Sequence, residues 1–423
     1  MKLVDELKWR GMIHDIMPGT EELLNSKKIS GYVGFDPTAD SLHIGNLVPI
    51  MLLVHLQRAG HNPIALIGGA TGMVGDPSGK SEERNLLDSD TLAHNIAGQK
   101  KQLLKFLDFE GENKAELVNN YDWFKEFDFL GFIRDVGKHI TINYMMSKDS
   151  VKTRLETGLS FTEFSYQLVQ GYDFYHLWKN KNCMLQMGGS DQWGNITTGT
   201  ELIRRMAGGK AFALTTPLLK RSDGKKFGKS EAGNIWLDKE KTSPFTFYQY
   251  WLNVADNDAG KMMRIFTLKT EEEILAIEKE HTEDPGRRTL QKELAKDITI
   301  RVHSQEDFDS AILASKVLFG KSTTEDLEAI SEGDFLSIFE GVQQVKISKE
   351  EIESGIGIVE ALNEKTGFLK SNGEARRDLK QNAISVNKSK VNDQKVINTD
   401  DLINGKYILL QKGKKNFFIL KAV

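Results

Sequence analysis

The sequence predicts an α/β fold: a mainly parallel sheet with helices on both faces, then a helical region and a small α+β module at the C-terminal end. Three observations carry this. Strand and helix patterns alternate from about residue 30 to about residue 206, the order that builds parallel strands joined by crossover helices. Residues 242–320 are polar, helix-forming and almost free of proline. Positive charge gathers at one end: residues 365–423 hold 13 Lys and Arg against 5 Asp and Glu, a net +8, so in a chain of net charge −4 the rest carries −12. That split suits a localised RNA-binding module on an acidic enzyme body.

Residues 1 to about 30 read as a helical lead-in. Residues 31–56, GYVGFDPTADSLHIGNLVPIMLLVHL, read as a strand, a turn fixed by Pro37, a loop, and a helix from about Asn46. His43 and Asn46 are three apart and share a face of that first turn. Gly45, with no side chain, would let a flat group such as a purine approach the backbone. The unpaired N–H groups of a helix start are a seat for phosphate; a packed histidine and an ordinary glycine turn are the plain alternative. A strand over 63–67 ends in a Gly-rich loop. Helical patterns follow near 91–109, 161–179 and 192–206, with strands near 117–119 and 184–187. No G-x-G-x-x-G occurs in the first strand-to-helix turn, so a dinucleotide site is not indicated. The aromatic stretch 121–132, YDWFKEFDFLGF, carries acidic residues that disfavour a phosphate-bearing partner, so packing in the core or between subunits is expected of it.

Downstream, 218–230 reads LLKRSDGKKFGKS. Lys226 and Lys229 flank Phe227-Gly228 and precede Ser230. Mobile cations of this kind suit a reaction whose negative charge peaks transiently, though a solvated hairpin has the same composition.

A chain of 423 residues holds two or three domains, and its 39% hydrophobic and 27% charged residues are ordinary for a soluble protein. No apolar run reaches the roughly 18–20 residues a spanning helix needs. The start, MKLVDELKWRG, has no signal-peptide pattern. The single cysteine, Cys183, leaves no disulfide framework and lies in an apolar run that reads as packing. A cytoplasmic enzyme is expected.

Taken together, HIGN at 43–46 and KFGKS at 226–230 resemble the HIGH and KMSKS motifs of class I aminoacyl-tRNA synthetases. The supporting stretches YVGFDPTADSLHIGN, GGATGMVGDPSGK, FSYQLVQGYDF, QMGGSDQWGN and GEARR resemble, in order, the bacterial-type tyrosyl branch. The resemblance implies a Rossmann-like catalytic domain over 1–217, a KFGKS loop and α-helical domain over 218–320, a helical linker over 321–352, and over 353–423 an RNA-binding domain of the S-four ribosomal type. It implies activation of L-tyrosine by ATP to tyrosyl-adenylate, transfer to the 3′ end of tRNA(Tyr), magnesium on the phosphates without a dedicated protein metal site, and a homodimer. By motif position, Thr38, His43 and Asn46 would hold the triphosphate. Lys80, Arg84, Lys226, Lys229 and Ser230 would close on the departing pyrophosphate. Gly34, Asp36, Gly45, Gly189 and Asp191 would seat the nucleotide, with Asp191 on the ribose. Asp76, Tyr166, Gln170 and Gln192 would surround the amino acid's backbone end, and Tyr32 and Asp173 its phenol. Arg376, Arg377, Lys388 and Lys390 would meet RNA, Lys388 standing where the family usually has glycine. A tryptophanyl enzyme, an RNA-binding protein without activity on the same scaffold, and a nucleotidyltransferase acting on a small metabolite are the alternatives. The first lacks the C-terminal module, the second usually loses motif residues, and the third has no use for an RNA-binding tail.

Overall fold

Five parallel strands and one short antiparallel edge strand form the sheet on which the first part of the chain is built. The computed structural model describes every residue except Met1, 79–86, 156–157, Arg221, 223–226, 231–232, 320–322 and 414–415. For Ser150, Thr153, Leu155, Lys229 and Ser230 it describes the backbone alone. The chain forms two compact units, Met1–Asp238 with Leu252–Val302, and Lys239–Trp251 with His303–Val423.

In the first unit the strands are β1 Asp15–Ile16, β2 Ser30–Phe35, β3 Asn62–Ile67, β4 Glu116–Asn119, β5 Cys183–Gly189 and β6 Phe212–Thr216. Their order is β1-β6-β5-β2-β3-β4. The chain leaves β2 towards β3 and β4, then returns to β2's other side with β5. That reversal opens a crevice at the carboxyl ends of β2 and β5, where an open α/β sheet binds ligands. The strands are nearly continuous apolar runs because both faces are covered. Cys183 is buried on β5, and burial pushes its thiol pKa up, so it packs rather than reacts.

Residues 1–30 are not purely helical. Helices Leu3–Trp9 and Thr20–Ser26 flank β1, which pairs antiparallel with β6. Gly11 and Gly19, at φ 70° and 87°, turn the chain on either side of it. A two-residue edge strand has too little periodicity to be read from sequence.

The helix Leu47–Arg58 follows β2. The helix Phe161–Lys181, capped by Ser160 on the Glu163 N–H, precedes β5, and Trp193–Ala207 follows it. The last two pack closely because Gly171 and Gly199 face them: a Cβ on Gly199 would meet Phe174 at 2.8 Å, and one on Gly171 would meet Leu202 at 2.9 Å. Arg154 and Glu163, both almost fully buried, pair at 2.8 Å and tie the helix Asp149–Leu155 to Phe161–Lys181. In the aromatic stretch, Phe124, Phe127 and Phe132 gather around Tyr172 with centroids 5.1–6.0 Å apart, while Phe129 and Leu130 are exposed.

The helical region does not form one block. Asp256–Phe266, Glu271–Glu283 and Thr289–Val302 belong to the first unit, whereas residues 239–251 and everything from 303 belong to the second. Residues 321–352, expected to be a helical linker, contain the strand β7 Gln344–Ile347. With β8 Ile384–Val386, β9 Ser389–Lys390, β10 Tyr407–Lys412 and β11 Asn416–Ala422 it makes a five-stranded sheet, order β9-β8-β10-β11-β7, with β7 parallel to β11. The physical reason is that both faces of this sheet are apolar. Ile408, Leu410, Phe418 and Leu420 face one core with Ile352, Leu362 and Leu379. Tyr407, Leu409 and Ile419 face another with Phe245, Val317, Phe335 and Ile338. The helices before the module are therefore its second layer.

Phe335→Ala should open a cavity in that second core and destabilise the unit by about 3–5 kcal/mol. Amide hydrogen exchange should then speed up together in β10, β11 and the helix Gln305–Phe319. Full protection of the strands with loss in the helix alone would show two independent modules.

Candidate active site

At the end of β2, Asp36 accepts the Thr71 hydroxyl and the Tyr166 hydroxyl, each at 2.7 Å. Thr71 opens the turn after β3, and Tyr166 points from Phe161–Lys181. Its phenol is fully buried, and burial followed by the Asp36 charge raises its pKa well above the ordinary value. About two turns along the same helix, Asp173 is 1% exposed. Its two oxygens take the Asn120 side-chain amide at 3.0 Å and the Trp123 indole N–H at 2.9 Å. Burial pushes this carboxyl up to about 8, against the pull of those two donors. Asn120 also donates to Thr71 at 3.1 Å and accepts from the Ala70 N–H at 2.6 Å. One buried amide thus ties β4's end, the Gly-rich loop and Asp173 together.

Beside this network lies Tyr32, 1% exposed, its ring edge-on to Phe174 at 5.4 Å. Its hydroxyl is buried with no hydrogen-bond partner among the described residues. Burial, and next the Asp173 charge, raises its pKa. Gln170 likewise keeps a buried, unpartnered amide oxygen. Buried polar atoms are almost always paired, so a polar ligand is what these two atoms call for.

Asp76 takes Gln192 at 2.7 Å and the Ser78 N–H at 2.9 Å. Asp191 sits in the short turn after β5, and burial, then Asp76, raises its pKa. Gly189 faces Asp191: a Cβ there would lie 2.5 Å from its carboxylate. Gly34 is exposed near the end of β2, where only a Leu66 methyl approaches its missing Cβ, at 3.8 Å.

The HIGN turn is a capping box. His43 Nδ1 accepts the Gly45 N–H and Asn46 Oδ1 accepts the His43 N–H, both at 3.0 Å. That leaves the Asn46 amide NH2 as its donor. A Cβ on Gly45 would lie 2.7 Å from the His43 ring, so the absent side chain gives that ring its place. Thr38 is exposed after Asp36. Lys80, Arg84 and Lys226 lie outside the described residues, and the backbone of Lys229–Ser230 pairs with Gly233–Asn234. Between the two motifs runs one connecting strand of backbone. Ile235 donates to the Gly228 carbonyl at 3.2 Å and accepts from Ile44 at 3.0 Å, and Leu237 donates to Leu42 at 2.8 Å. The two segments, far apart in sequence, are thereby neighbours: a Cβ on Gly228 would lie 3.5 Å from the Gly45 nitrogen.

In the second unit, Arg376 and Arg377 are exposed on the helix Asn372–Lys380, and Lys390 is exposed on β9. Lys388 differs. Its ammonium lies 4.9 Å over the Phe417 ring, and burial lowers its pKa, so its charge is engaged by the fold. Asn387 and Lys388 have φ of 47° and 71°, the left-handed pair of a tight hairpin turn, which is why glycine suits the second position.

Thr71, Asn120 and Trp123 were not anticipated from sequence. The only available signal was polar residues directly after a short strand of a parallel sheet.

The family model for class I tRNA synthetases (W and Y) matches residues 24–320, and the model for the tyrosine–tRNA ligase SYY-like C-terminal domain matches 334–420. A tyrosine–tRNA ligase of Flavobacterium johnsoniae is 61% identical over 100% of this chain and 99% of its own length. One of Bacteroides thetaiotaomicron is 59% identical over 100% of both. Among solved structures, a C-terminally truncated mitochondrial tyrosyl-tRNA synthetase of Aspergillus nidulans superposes with a TM-score of 0.68 at 32% identity, over 75% of this chain and 94% of its own.

The Asp173 carboxyl gives a pH prediction. An unfolded aspartate titrates near ~3.9, so between there and about 8 the folded chain holds a proton that the unfolded chain has released. Its contribution is full below the lower value and is lost as pH rises through the upper one. Asp173→Asn should therefore lose less melting temperature than the parent between pH 6 and pH 9. Equal losses would contradict the shifted carboxyl.

Proposed function

The chain belongs to the tyrosine–tRNA ligases of the class I tRNA synthetase family and joins tyrosine to tRNA; from that premise we propose that the crevice at the ends of β2 and β5 performs the reaction with the residues described above. The tyrosine carboxylate attacks the α-phosphorus of ATP, the bond to pyrophosphate breaks, and tyrosyl-adenylate forms. A hydroxyl of the terminal ribose of the tRNA then attacks the tyrosyl carbonyl, and AMP leaves. The carboxylate is already ionised at neutral pH, so the first step needs no general base. It needs alignment of two anions and stabilisation of charge growing on the phosphates.

The phenol of tyrosine sits between Tyr32 and Asp173. Its ammonium sits among Asp76, Tyr166 and Gln170, with Gln192 orienting Asp76. Gly34 and Gly189 let the nucleotide lie on the backbone, Asp191 holds the ribose, and Asp36 fixes Tyr166 and Thr71. Thr38, His43 and Asn46 hold the triphosphate; Gly45 serves by giving room to the His43 ring. Lys80, Arg84, Lys226, Lys229 and Ser230 take the charge of the leaving pyrophosphate. Magnesium would come bound to the nucleotide's phosphates and neutralise part of their charge, as it does in other phosphate-transfer sites. Arg376, Arg377 and Lys390 form the exposed cationic surface for the tRNA backbone, with Lys388 shaping the turn beneath it. The enzyme works in the cytoplasm as a homodimer. Phe129, Leu130 and Ile142 are exposed apolar side chains of the first unit, which favours pairing through it.

The observation that supports this reading most directly is the Tyr32 hydroxyl, buried without a partner beside a carboxylate. A phenol supplies what it lacks; a phenyl ring leaves it unpaired. Tyr32→Phe should narrow the preference for tyrosine over phenylalanine by about 0.5–1.5 kcal/mol in ATP–pyrophosphate exchange. Asp173→Asn should narrow it as well, because it alters the second polar group facing the phenol. A preference unchanged in both variants would rule this pocket out.

A further inference from the structure

Phe227, inside the KFGKS motif, stacks on Phe266 with ring centroids 5.5 Å apart and planes at 12°. Phe266 is 2% exposed and ends the helix Asp256–Phe266. The carbonyls at such a helix end have no partner within the helix, and here three arginines supply donors. Arg10 donates to the carbonyls of Thr267 and Lys269 at 2.9 and 2.7 Å, and also to that of Arg264. Arg301 donates to Phe266 at 3.0 Å, and Arg58 to Leu268 at 3.2 Å. Cations at a helix C-terminus also oppose its partial negative charge. His55, buried near all three, is pushed down to about 3 and adds no fourth charge.

Arg58 is the last residue of Leu47–Arg58, the helix that begins at the HIGN turn. One helix therefore touches the KFGKS segment by two routes. At its start, Gly45 lies against Gly228, whose Cβ would sit 3.5 Å from the Gly45 nitrogen. At its end, Arg58 helps fix the chain that carries Phe266. A cationic loop stabilises a transition state only if its charges return to the same place at each turnover. A flat aromatic seat supplies that register without contacting substrate.

We propose that Phe266, clamped by Arg10, Arg58 and Arg301, is a positioning residue for adenylate formation: its ring is the seat on which Phe227 registers the KFGKS loop against the HIGN turn. This rests on the assigned role of the loop lysines. The test is single-turnover formation of tyrosyl-adenylate by the full-length enzyme, together with the tyrosine dissociation constant. Phe266→Leu keeps an apolar filling but removes the flat face, and should slow the step about threefold to tenfold with tyrosine affinity within about twofold. Phe227→Leu should do the same, and the double variant should be no slower than either single, since both remove one contact. Phe266→Tyr should restore the rate.

Unchanged rates, losses that multiply in the double variant, or tyrosine affinity falling in step with rate would each overturn the proposal. If Phe266→Leu does not fold, Phe227→Leu decides alone, and an unchanged rate there overturns it. Lys229→Ala in the same assay separates the two levels. It should slow the step about 100- to 1,000-fold; if it does so while the leucine variants do not, only the seat is wrong. If Lys229→Ala leaves the rate intact, the loop's role falls and the seat with it.

Discussion

A carboxylate buried beneath the sheet's carboxyl edge sets the terms for the rest of the site. Asp173 is 1% exposed, and an isolated charge there would cost several kcal/mol. The Asn120 amide and the Trp123 indole meet its two oxygens, and each of those donors is itself fixed. Asn120 is buried and held to Thr71 and Ala70, and Trp123 stacks on His176 with centroids 4.3 Å apart. The network leaves one buried hydroxyl, that of Tyr32, without a partner among the described residues. On the proposed assignment, its unmet hydrogen bond beside the Asp173 carboxyl is what selects a phenol.

The reacting end obeys a different constraint. On the proposed assignment, what matters there is where positive charge stands when the phosphate charge grows. Neighbouring backbone, not a side-chain network, supplies the alignment. Ile235 bridges Gly228 and Ile44, and His43 is turned back over Gly45 by its own capping box. Glycine at 45 leaves room for the His43 ring, which a Cβ there would meet at 2.7 Å, and glycine at 228 allows a φ of 89° where the segment lies against Gly45.

The alternation of strands and helices, the central β2 and the helix after HIGN were legible because they are long and strongly periodic. Tyr32, Asp76, Tyr166, Gln170, Asp173 and Asp191 were nameable from motifs: Tyr32 lies within β2, Tyr166, Gln170 and Asp173 on Phe161–Lys181, Asp191 in the turn after β5, and Asp76, beyond β3, takes Gln192 from that same turn. Trp123 was not, since its neighbours in sequence are phenylalanines and its role comes from a partner 50 residues away. Residues 321–352 read as a linker because the strand Gln344–Ile347 is short and pairs with β11, more than 70 residues on. Lys388 looked like free charge until its ammonium was found over Phe417. In each case a contact distant in sequence overrode the local pattern.

The most direct measurement is ATP–pyrophosphate exchange by the full-length protein with each of the twenty amino acids in turn. A pocket built on an unpartnered Tyr32 hydroxyl and the Asp173 carboxylate predicts exchange with tyrosine far above that with phenylalanine or tryptophan. Exchange driven equally well by phenylalanine, or better by tryptophan, would contradict the account.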